Sequence, residues 1–289
     1  MKLDQHDFYK ILQKDFPHNL TSKQDILLQQ LSSFVLSPDN NTIFLLKGFA
    51  GTGKTTVIGT VVKNLWKIKM SSIQLAPTGR AAKVISNYSN TPAQTIHRKI
   101  YYPKKQSGGG VSFTLQRNKH RNTLFIVDEA SMISDSVSES KLFENGSLLD
   151  DLMQYVYTGH KCKLLLIGDN AQLPPVKMDL SPALDSRVLE VQYNKEVTDI
   201  ELDEVMRQAE TSGILKNATR IRDFLTDELY EDFKFDLHDQ VDVERLIDGH
   251  EILDAINDSY AEFGNEGTAF IVRSNKRANL YNQQIRGRI

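Results

Sequence analysis

Short apolar runs alternate along this chain with segments in which apolar residues recur every three or four positions. The runs occupy residues 42–46, 72–76, 123–127 and 164–167, and they predict buried strands, the first of them being β-branched as well as apolar. Helical spacing follows the first run, with apolar side chains at Val57, Ile58, Val61, Val62 and Leu65. Strands that alternate with helices indicate an α/β fold built on a parallel sheet.

The segments around these runs divide the chain further. Residues 1–41 show helical spacing, and Thr21 or Ser22 is placed to cap the second of two helices. Residues 42–185 contain the four runs and form the predicted main domain, with a small basic hairpin inserted near residues 101–122. Residues 186–289 form a second region, in which a strand is predicted at 268–272 and a helix after it.

Composition excludes several classes of protein. Cys162 is the only cysteine, which excludes an internal disulfide and a cysteine metal cluster and suggests a reducing compartment. The N-terminus lacks the apolar core of a signal peptide, and no run reaches the about twenty apolar residues that cross a bilayer. We therefore expect a cytoplasmic protein without a membrane partner.

Charge is distributed unevenly along the chain. No acidic residue occurs among the 88 positions from 40 to 127, which carry 14 Lys and Arg, whereas the remainder has a net charge of −16. A basic region in an otherwise acidic chain predicts a polyanionic partner. The alternative is that these cations are scattered over a solvated surface, and the hairpin either touches nucleic acid or is a solvated loop.

The first apolar run leads into GFAGTGKTT at residues 48–56. A glycine, four residues and Gly-Lys-Thr form a phosphate-binding loop when they join a strand to a helix. The glycines let the backbone wrap a phosphate, and the free N–H groups at the helix start favour anions. The predicted phosphate-binding residues are Gly48, Ala50, Gly51, Thr52, Gly53, Lys54, Thr55 and Thr56, with Lys54 on the β- and γ-phosphates and Thr55 on Mg²⁺.

Two later strands end in residues that suit hydrolysis. The run at 123–127 ends in Asp128 and Glu129; Asp128 is expected to hold Mg²⁺ and Glu129 to orient and deprotonate the attacking water. The run at 164–167 is followed by Gln172, whose amide is expected to bond to the γ-phosphate and sense its loss.

Five further residues are ambiguous by themselves. Gln24 carries an amide that matches the adenine edge, although an exposed helical glutamine is the ordinary interpretation. Thr78, Arg80, Thr95 and His97 place hydroxyls and cations near strand ends, and such groups suit a sugar–phosphate backbone. A capping or core histidine explains His97 equally well.

In chain order, Gln24, GFAGTGKTT, APTGRAA, TIH, DEAS and GDNAQLPPV resemble the helicase motifs of superfamily 1. The loop, the TIH segment and the GDxxQLPPV form are most similar to the RecD-like and Dda/Pif1-like branch, which comprises ATP-driven 5′→3′ DNA helicases. The resemblance covers roughly residues 20–180. It implies a RecA-like P-loop NTPase domain followed by part of a second RecA-like domain.

The resemblance also implies roles for single residues. It assigns adenine contact to Gln24, catalytic roles to Lys54, Glu129 and Gln172, and places Thr78, Arg80, Thr95 and His97 on or beside a track for single-stranded DNA. The cofactors that it implies are ATP and Mg²⁺. Residues 202–208 resemble a segment whose arginine reaches the γ-phosphate, which makes Arg207 a catalytic candidate.

The match becomes thinner beyond residue 185. The last two motifs of the family find no counterpart between 209 and 289, so the sequence predicts a shortened second domain, through trimming or natural truncation. Such a chain is expected to bind nucleotide and to unwind DNA poorly alone. The first functional hypothesis is an ATP-dependent helicase motor on single-stranded DNA. The alternative is an ATP-binding regulatory or assembly subunit of a helicase–nuclease (exodeoxyribonuclease V-like) complex in DNA repair or recombination.

Overall fold

The computed structural model describes residues 3–89, 91–105, 111–135, 147–204, 212–226, 233–237 and 242–287. The chain divides into two compact units, residues 1–208 and residues 209–289. The predicted motifs, apart from Arg207, fall within the described part of the first unit.

The first unit is built on a parallel sheet. Its strands are β1 (Thr42–Gly48), β2 (Ser71–Ala76), β3 (Ala93–Thr95), β4 (Tyr101–Lys105), β5 (Val111–Leu115), β6 (Arg121–Val127), β7 (His160–Gly168) and β8 (Glu196–Leu202). Six of these form one sheet in the order β3-β2-β6-β7-β1-β8, and each pairing is parallel. β4 and β5 form a separate antiparallel hairpin, at the place where the sequence predicts one.

Helices cover both faces of the sheet. Those of the first unit are α1 (Gln5–Asp15), α2 (Ser22–Leu36), α3 (Lys54–Asn64), α4 (Gly79–Ser89), α5 (Ile96–Ile100), α6 (Leu148–Tyr157) and α7 (Ser186–Tyr193). This arrangement is the RecA-like P-loop NTPase fold. The predicted α/β architecture is therefore confirmed for this unit.

β1 contributes side chains to the hydrophobic cores on both faces of the sheet. Ile43 and Leu45 are fully buried against α5 and α6, whereas Phe44 and Leu46 are fully buried against α1, α2 and α3. Successive side chains of a strand point to opposite faces, so an unbroken apolar run is what a strand covered on both faces requires. Each such side chain contributes about 1.5–3 kcal/mol of burial free energy, which fixes the position of the loop that follows β1.

The predicted boundary between residues 185 and 186 is wrong. β8 pairs with β1 in the register Phe44↔Thr198, so residues 196–202 complete the first sheet. α7 precedes this strand, and its Leu189 is buried in the core of the first unit. At the other end, Phe8 and Leu27 bring α1 and α2 into that core, so residues 1–41 pack as part of the same unit.

The described part of the second unit is helical. It contains α8 (Gly213–Thr226), α9 (Gly249–Gly267) and α10 (Asn275–Arg286), and α9 is interrupted at Gly264, which has φ 67°. The strand predicted at 268–272 is wrong, because these residues adopt no regular structure and no described strand of this unit is available to pair with them. A partial second RecA-like domain stays a prediction.

None of the helices in the described ranges is both long enough and apolar enough to cross a bilayer.

Candidate functional site

The predicted nucleotide-binding residues meet at one edge of the sheet, because the carboxyl ends of parallel strands lie together. β1 ends at the phosphate loop, β6 ends before Asp128, and β7 ends before Asp169. A cleft of about 1040 Å³ lies there. Its lining includes the predicted residues Gln24, Ala50, Gly51, Gly53, Lys54, Thr55, Thr56, Asp128, Glu129 and Gln172.

The phosphate loop has the backbone that its glycines allow. Gly51 and Gly53 adopt φ of 86° and 85°, the left-handed region that side chains disfavour. Gly53 is the N-cap of α3, so the first turn of that helix opens into the cleft. Free N–H groups and the helix dipole make this end of α3 a site for an anion.

Gly48 and Thr52 support the loop from behind and are absent from the cleft lining. A Cβ at Gly48 would lie 2.6 Å from the carbonyl oxygen of Leu202, so only glycine lets the loop pass against the end of β8. The hydroxyl of Thr52 donates to the carbonyl of Phe49 over 2.9 Å. The structure therefore gives these two predicted residues a shaping role.

Lys54 is folded over the loop. Its Nζ donates to the carbonyl oxygens of Gly48 at 2.6 Å and Phe49 at 2.8 Å. Burial lowers the pKa of this ammonium group, and the neighbouring carboxylates of Asp169, Asp128 and Glu129 oppose that shift. The amine is thus held by two carbonyl oxygens next to the place where phosphates would bind.

Asp128 and Glu129 form a partly buried pair of carboxylates. Burial raises the pKa of both, and the charge of Asp128 raises the pKa of Glu129 further. The backbone N–H of Glu129 donates to Asp128 Oδ1 over 2.9 Å, and Glu129 itself adopts a left-handed φ of 58°. A hydrogen bond from Gln172 lowers the Glu129 pKa and so favours the ionised carboxylate.

Asp169 is a site residue that the sequence analysis did not assign a role. It is buried in the cleft wall, and its Oδ1 accepts the backbone N–H of Ala171 over 2.8 Å. Its carbonyl accepts the N–H of Gln172 over 3.1 Å, so Asp169 shapes the turn that presents Gln172 to Glu129. The sequence feature that could have identified Asp169 is its position in the GDNAQLPPV motif.

The loop between α1 and α2 is a second missed part of the site. Phe16, Pro17, His18 and Asn19 line the cleft beside Gln24. The sequence showed only a helix break there, because a Phe-Pro step is an ordinary way to end a helix. Its proximity to the phosphate loop depends on how α1 and α2 pack against α3, and the local sequence does not encode that packing.

Gln24 is buried and its side chain is engaged within the protein. Its Nε2 donates to the carbonyl of Thr52 over 3.0 Å, and its Oε1 accepts the N–H of Thr21 over 3.2 Å. These two bonds leave one N–H and one oxygen lone pair of the Gln24 amide to bond to a base.

The four predicted DNA contacts lie at the same edge of the sheet. β2 and β3 end side by side, with Ala76 aligned with Thr95. The hydroxyls of Thr78 and Thr95 accept backbone N–H groups at the starts of α4 and α5, from Ala81 and Arg98 respectively, both over 3.2 Å. Arg80 and His97 are exposed in the first turns of these helices.

The arginine and the metal ligands that the sequence predicts both stay predictions. Arg207 lies outside the described residues. No cluster of three His, Cys, Asp or Glu side chains able to hold a metal ion occurs in the described ranges. Thr55 and Asp128 both line the cleft, and one carboxylate with one hydroxyl is the kind of partial set on which Mg²⁺ binds with phosphates and waters.

Comparisons with known proteins agree with these motifs. The model of an AAA domain family matches residues 20–234. The ATP-dependent RecD2 DNA helicase of Deinococcus radiodurans is 30% identical over 203 residues, which cover 69% of this chain and 23% of that protein. The ATP-dependent DNA helicase dda of Enterobacteria phage T4 is also 30% identical, over 61% of this chain and 37% of its own length.

A third relative is a subunit of a larger enzyme. The RecBCD enzyme subunit RecD of Buchnera aphidicola subsp. Schizaphis graminum is 30% identical over 181 residues, which cover 55% of this chain and 27% of the subunit. In all three comparisons the matched region spans well under half of the relative. The chain belongs to the AAA domain family, in the RecD-like and Dda/Pif1-like branch of superfamily 1.

Proposed function

We propose that this chain is the ATPase part of a DNA helicase motor, which couples ATP hydrolysis to 5′→3′ translocation on single-stranded DNA. The observation that carries the proposal is the single cleft shared by the phosphate loop, the Asp128–Glu129 pair and Gln172. A phosphate loop alone binds anions, whereas a partly buried carboxylate pair beside it adds the groups that hydrolysis needs. The helicase relatives support the coupling to DNA.

The chain's own residues divide the chemistry among them. Lys54 exchanges its two carbonyl partners for phosphate oxygens when nucleotide enters, because a charged acceptor forms the stronger hydrogen bond. Thr55 and Asp128 hold Mg²⁺, which when bound neutralises charge on the phosphates. Glu129 accepts the proton of the attacking water, and Gln172 keeps Glu129 ionised and oriented. Arg207 supplies a cation to the developing charge.

DNA binds next to this cleft in the proposal. Thr78, Arg80, Thr95 and His97 follow β2 and β3, at the same sheet edge as the phosphate loop. Two exposed cationic or polar side chains at neighbouring helix starts suit the phosphates of a single strand. When ATP is hydrolysed, movement of the phosphate loop is then transmitted to the bound DNA, because both sites lie at the same edge of the sheet.

A second candidate function follows from the RecD relative, which is a subunit of the RecBCD enzyme. In this version the chain is an ATP-binding regulatory or assembly subunit of a helicase–nuclease complex, in DNA repair or recombination. It uses the same nucleotide cleft, and its turnover does not respond to DNA.

Steady-state ATPase assays with and without single-stranded DNA separate the two. Strong stimulation by DNA is expected for the motor, and turnover that DNA leaves unchanged would favour the assembly subunit. Glu129→Gln is expected to keep nucleotide binding and to lose turnover. Persistent turnover in that variant would show that Glu129 is not the base. Asp179→Asn, an exposed substitution on the loop after β7, is the matched control.

A further inference from the structure

The opposite edge of the sheet, where the strands begin, carries a basic surface that the proposed function does not use. Three segments enter neighbouring strands there, namely residues 63–69 before β2, 119–122 at the start of β6 and 160–161 at the start of β7. They contain no Asp or Glu. We call them the entry edge, and their cations are Lys63, Lys67, Lys69, Lys119, Arg121 and Lys161.

The three segments are neighbours in space. β2 pairs with β6 in the register Ser71↔Thr123, and β6 pairs with β7 in the register Arg121↔His160. The side-chain amide of Asn122 donates to the carbonyl of Lys69. The cations therefore share one edge, although they are distant along the chain.

Most of this charge is uncompensated. Lys67 forms an ion pair with Asp15 over 3.2 Å and is half-buried, and Asp15 also attracts Lys63 at longer range. The other five cations are exposed, and in the ranges that the structure describes no carboxylate comes within ion-pair distance of them. The cations of the entry edge repel one another, and a bound polyanion would relieve that repulsion.

The backbone of the entry edge is also unusual. Lys69, Asn122 and Lys161 have φ of 58°, 47° and 53°, so each segment turns into its strand through a left-handed residue. Glycine and asparagine adopt this region at the lowest cost, and lysine pays more. Two of the three positions nevertheless carry lysine. These left-handed turns place two of the six cations where a segment enters its strand.

An exposed aromatic ring completes the surface. Trp66, the only tryptophan of the chain, has 70% of its surface exposed, and it lies in the 3-10 helix Leu65–Ile68. The N–H of Lys69 donates to the carbonyl of Trp66 over 3.0 Å, and Lys67 Nζ lies 6.0 Å from the ring centroid. A large exposed ring among cations is the combination that binds unpaired bases by stacking and their phosphates by charge.

We propose that the entry edge is a second binding site for single-stranded nucleic acid, with Trp66 stacked on a base and Lys69, Arg121 and Lys161 on phosphates. The site is separate from Arg80 and His97, because those residues follow the carboxyl ends of the strands. An acidic protein segment would use the same cations but gains little from the exposed indole, so nucleic acid is the better match. Binding of nucleic acid at the entry edge does not require ATP.

The single tryptophan makes the test direct. The full chain without nucleotide is titrated with single-stranded oligothymidine while Trp66 emission is recorded. Saturable quenching is expected, and it weakens with added salt. Lys69→Asn and Lys161→Asn remove charge while suiting the left-handed backbone, so the fold is retained. Each is expected to weaken binding at least threefold and to reduce the slope of log K against log salt by about 0.7.

Lys177→Asn is the matched control, because Lys177 is also exposed and left-handed, with φ 68°, but follows β7 at the other edge. It should leave the Trp66 response unchanged. Arg80→Ala should also keep the response even where DNA-stimulated ATPase is lost, which separates this site from the proposed motor. Unchanged emission at saturating oligothymidine overturns the proposal. An emission change with polyglutamate but not with oligothymidine also overturns it, because it would point to an acidic protein. Loss of the oligothymidine response in Arg80→Ala overturns it as well.

Discussion

The side-chain amide of Gln24 donates to the carbonyl oxygen of Thr52 over 3.0 Å and so connects α2 to the phosphate loop. The same side chain accepts the N–H of Thr21, whose hydroxyl accepts the N–H of Gln24 over 3.3 Å. These reciprocal bonds are a capping box at the start of α2. The residue predicted to read adenine is therefore also the residue that positions the loop beneath the phosphates.

A pair of variants separates the capping role of Gln24 from its bond to the phosphate loop. Thr21→Ala removes the cap and is expected to cost about 0.5–2 kcal/mol of stability with little loss of nucleotide affinity. Gln24→Ala also leaves the Thr52 carbonyl without its donor, so an additional cost of about 1–3 kcal/mol is expected, together with weaker nucleotide binding. Thermal unfolding and titration with a fluorescent ATP analogue measure the two effects. Equal nucleotide affinities in both variants would contradict the connection.

The second prediction concerns two glycines that differ in their surroundings. At Gly53, with φ 85°, an added Cβ would lie 2.5 Å from Gln24 Nε2. Gly53→Ala is thus expected to cost about 1–2 kcal/mol for the left-handed backbone alone and to abolish nucleotide binding. At Gly59, inside α3, an added Cβ meets nothing within 4 Å. Gly59→Ala should stabilise by about 0.5–1 kcal/mol and keep binding. Loss of nucleotide affinity in both variants would mean that substitutions anywhere in α3 impair binding, whether or not they change the phosphate loop.

For a physical reason, the sequence was enough to predict that the candidate residues meet at one edge of the sheet. Each apolar run ends directly in a motif, and parallel strands bring their carboxyl ends together, so Lys54, Asp128 and Gln172 had to meet. β8 was missed because it is an edge strand whose sequence, EVTDIEL, alternates weakly and is only partly buried. The run at 268–272 was misjudged for the opposite reason, since strand propensity matters only where a partner strand is present.

The third prediction follows from the burial of Asp128. Burial raises the pKa of this carboxyl, so its ionised form costs stability at neutral pH. The stability that the neutral Asp128 carboxyl contributes is fully present below the pKa of the unfolded state, near 3.8. It is lost as the pH rises through the higher pKa of the folded state. Asp128→Asn should therefore raise the Tm of the nucleotide-free protein at pH 7–8, by about 2–4 °C for each kcal/mol regained.

The Tm difference between Asp128→Asn and the wild type should shrink as pH falls toward 4, where the wild-type carboxyl is also neutral. Asp179→Asn, at an exposed position, should show no difference at any pH. Scanning calorimetry across this range measures both. A lower Tm for Asp128→Asn at pH 7–8 would mean that attraction to Lys54 outweighs the burial of the carboxylate.

The fourth prediction uses the hydrogen bond between Gln172 and Glu129. Burial and the charge of Asp128 raise the Glu129 pKa, and the bond from Gln172 opposes this. The ionised carboxylate is the base, so turnover should fall as pH drops through the Glu129 pKa. Gln172→Ala removes the opposing bond, which raises that pKa and moves the acid limb of the kcat profile to higher pH. Activity lost at neutral pH should then partly return in alkaline buffer.

That recovery distinguishes a role in ionisation from a role in geometry. If Gln172 only held the turn after β7, Gln172→Ala would lower kcat by the same factor at every pH. Asn170→Ala is the control, because Asn170 is an exposed neighbour on the same turn, and its pH profile should match the wild type. The Glu129→Gln variant should remain inactive across the whole range. Stopped-flow measurement of phosphate release from pH 5.5 to 9 compares the four proteins, and parallel profiles for Gln172→Ala and the wild type would contradict the assignment.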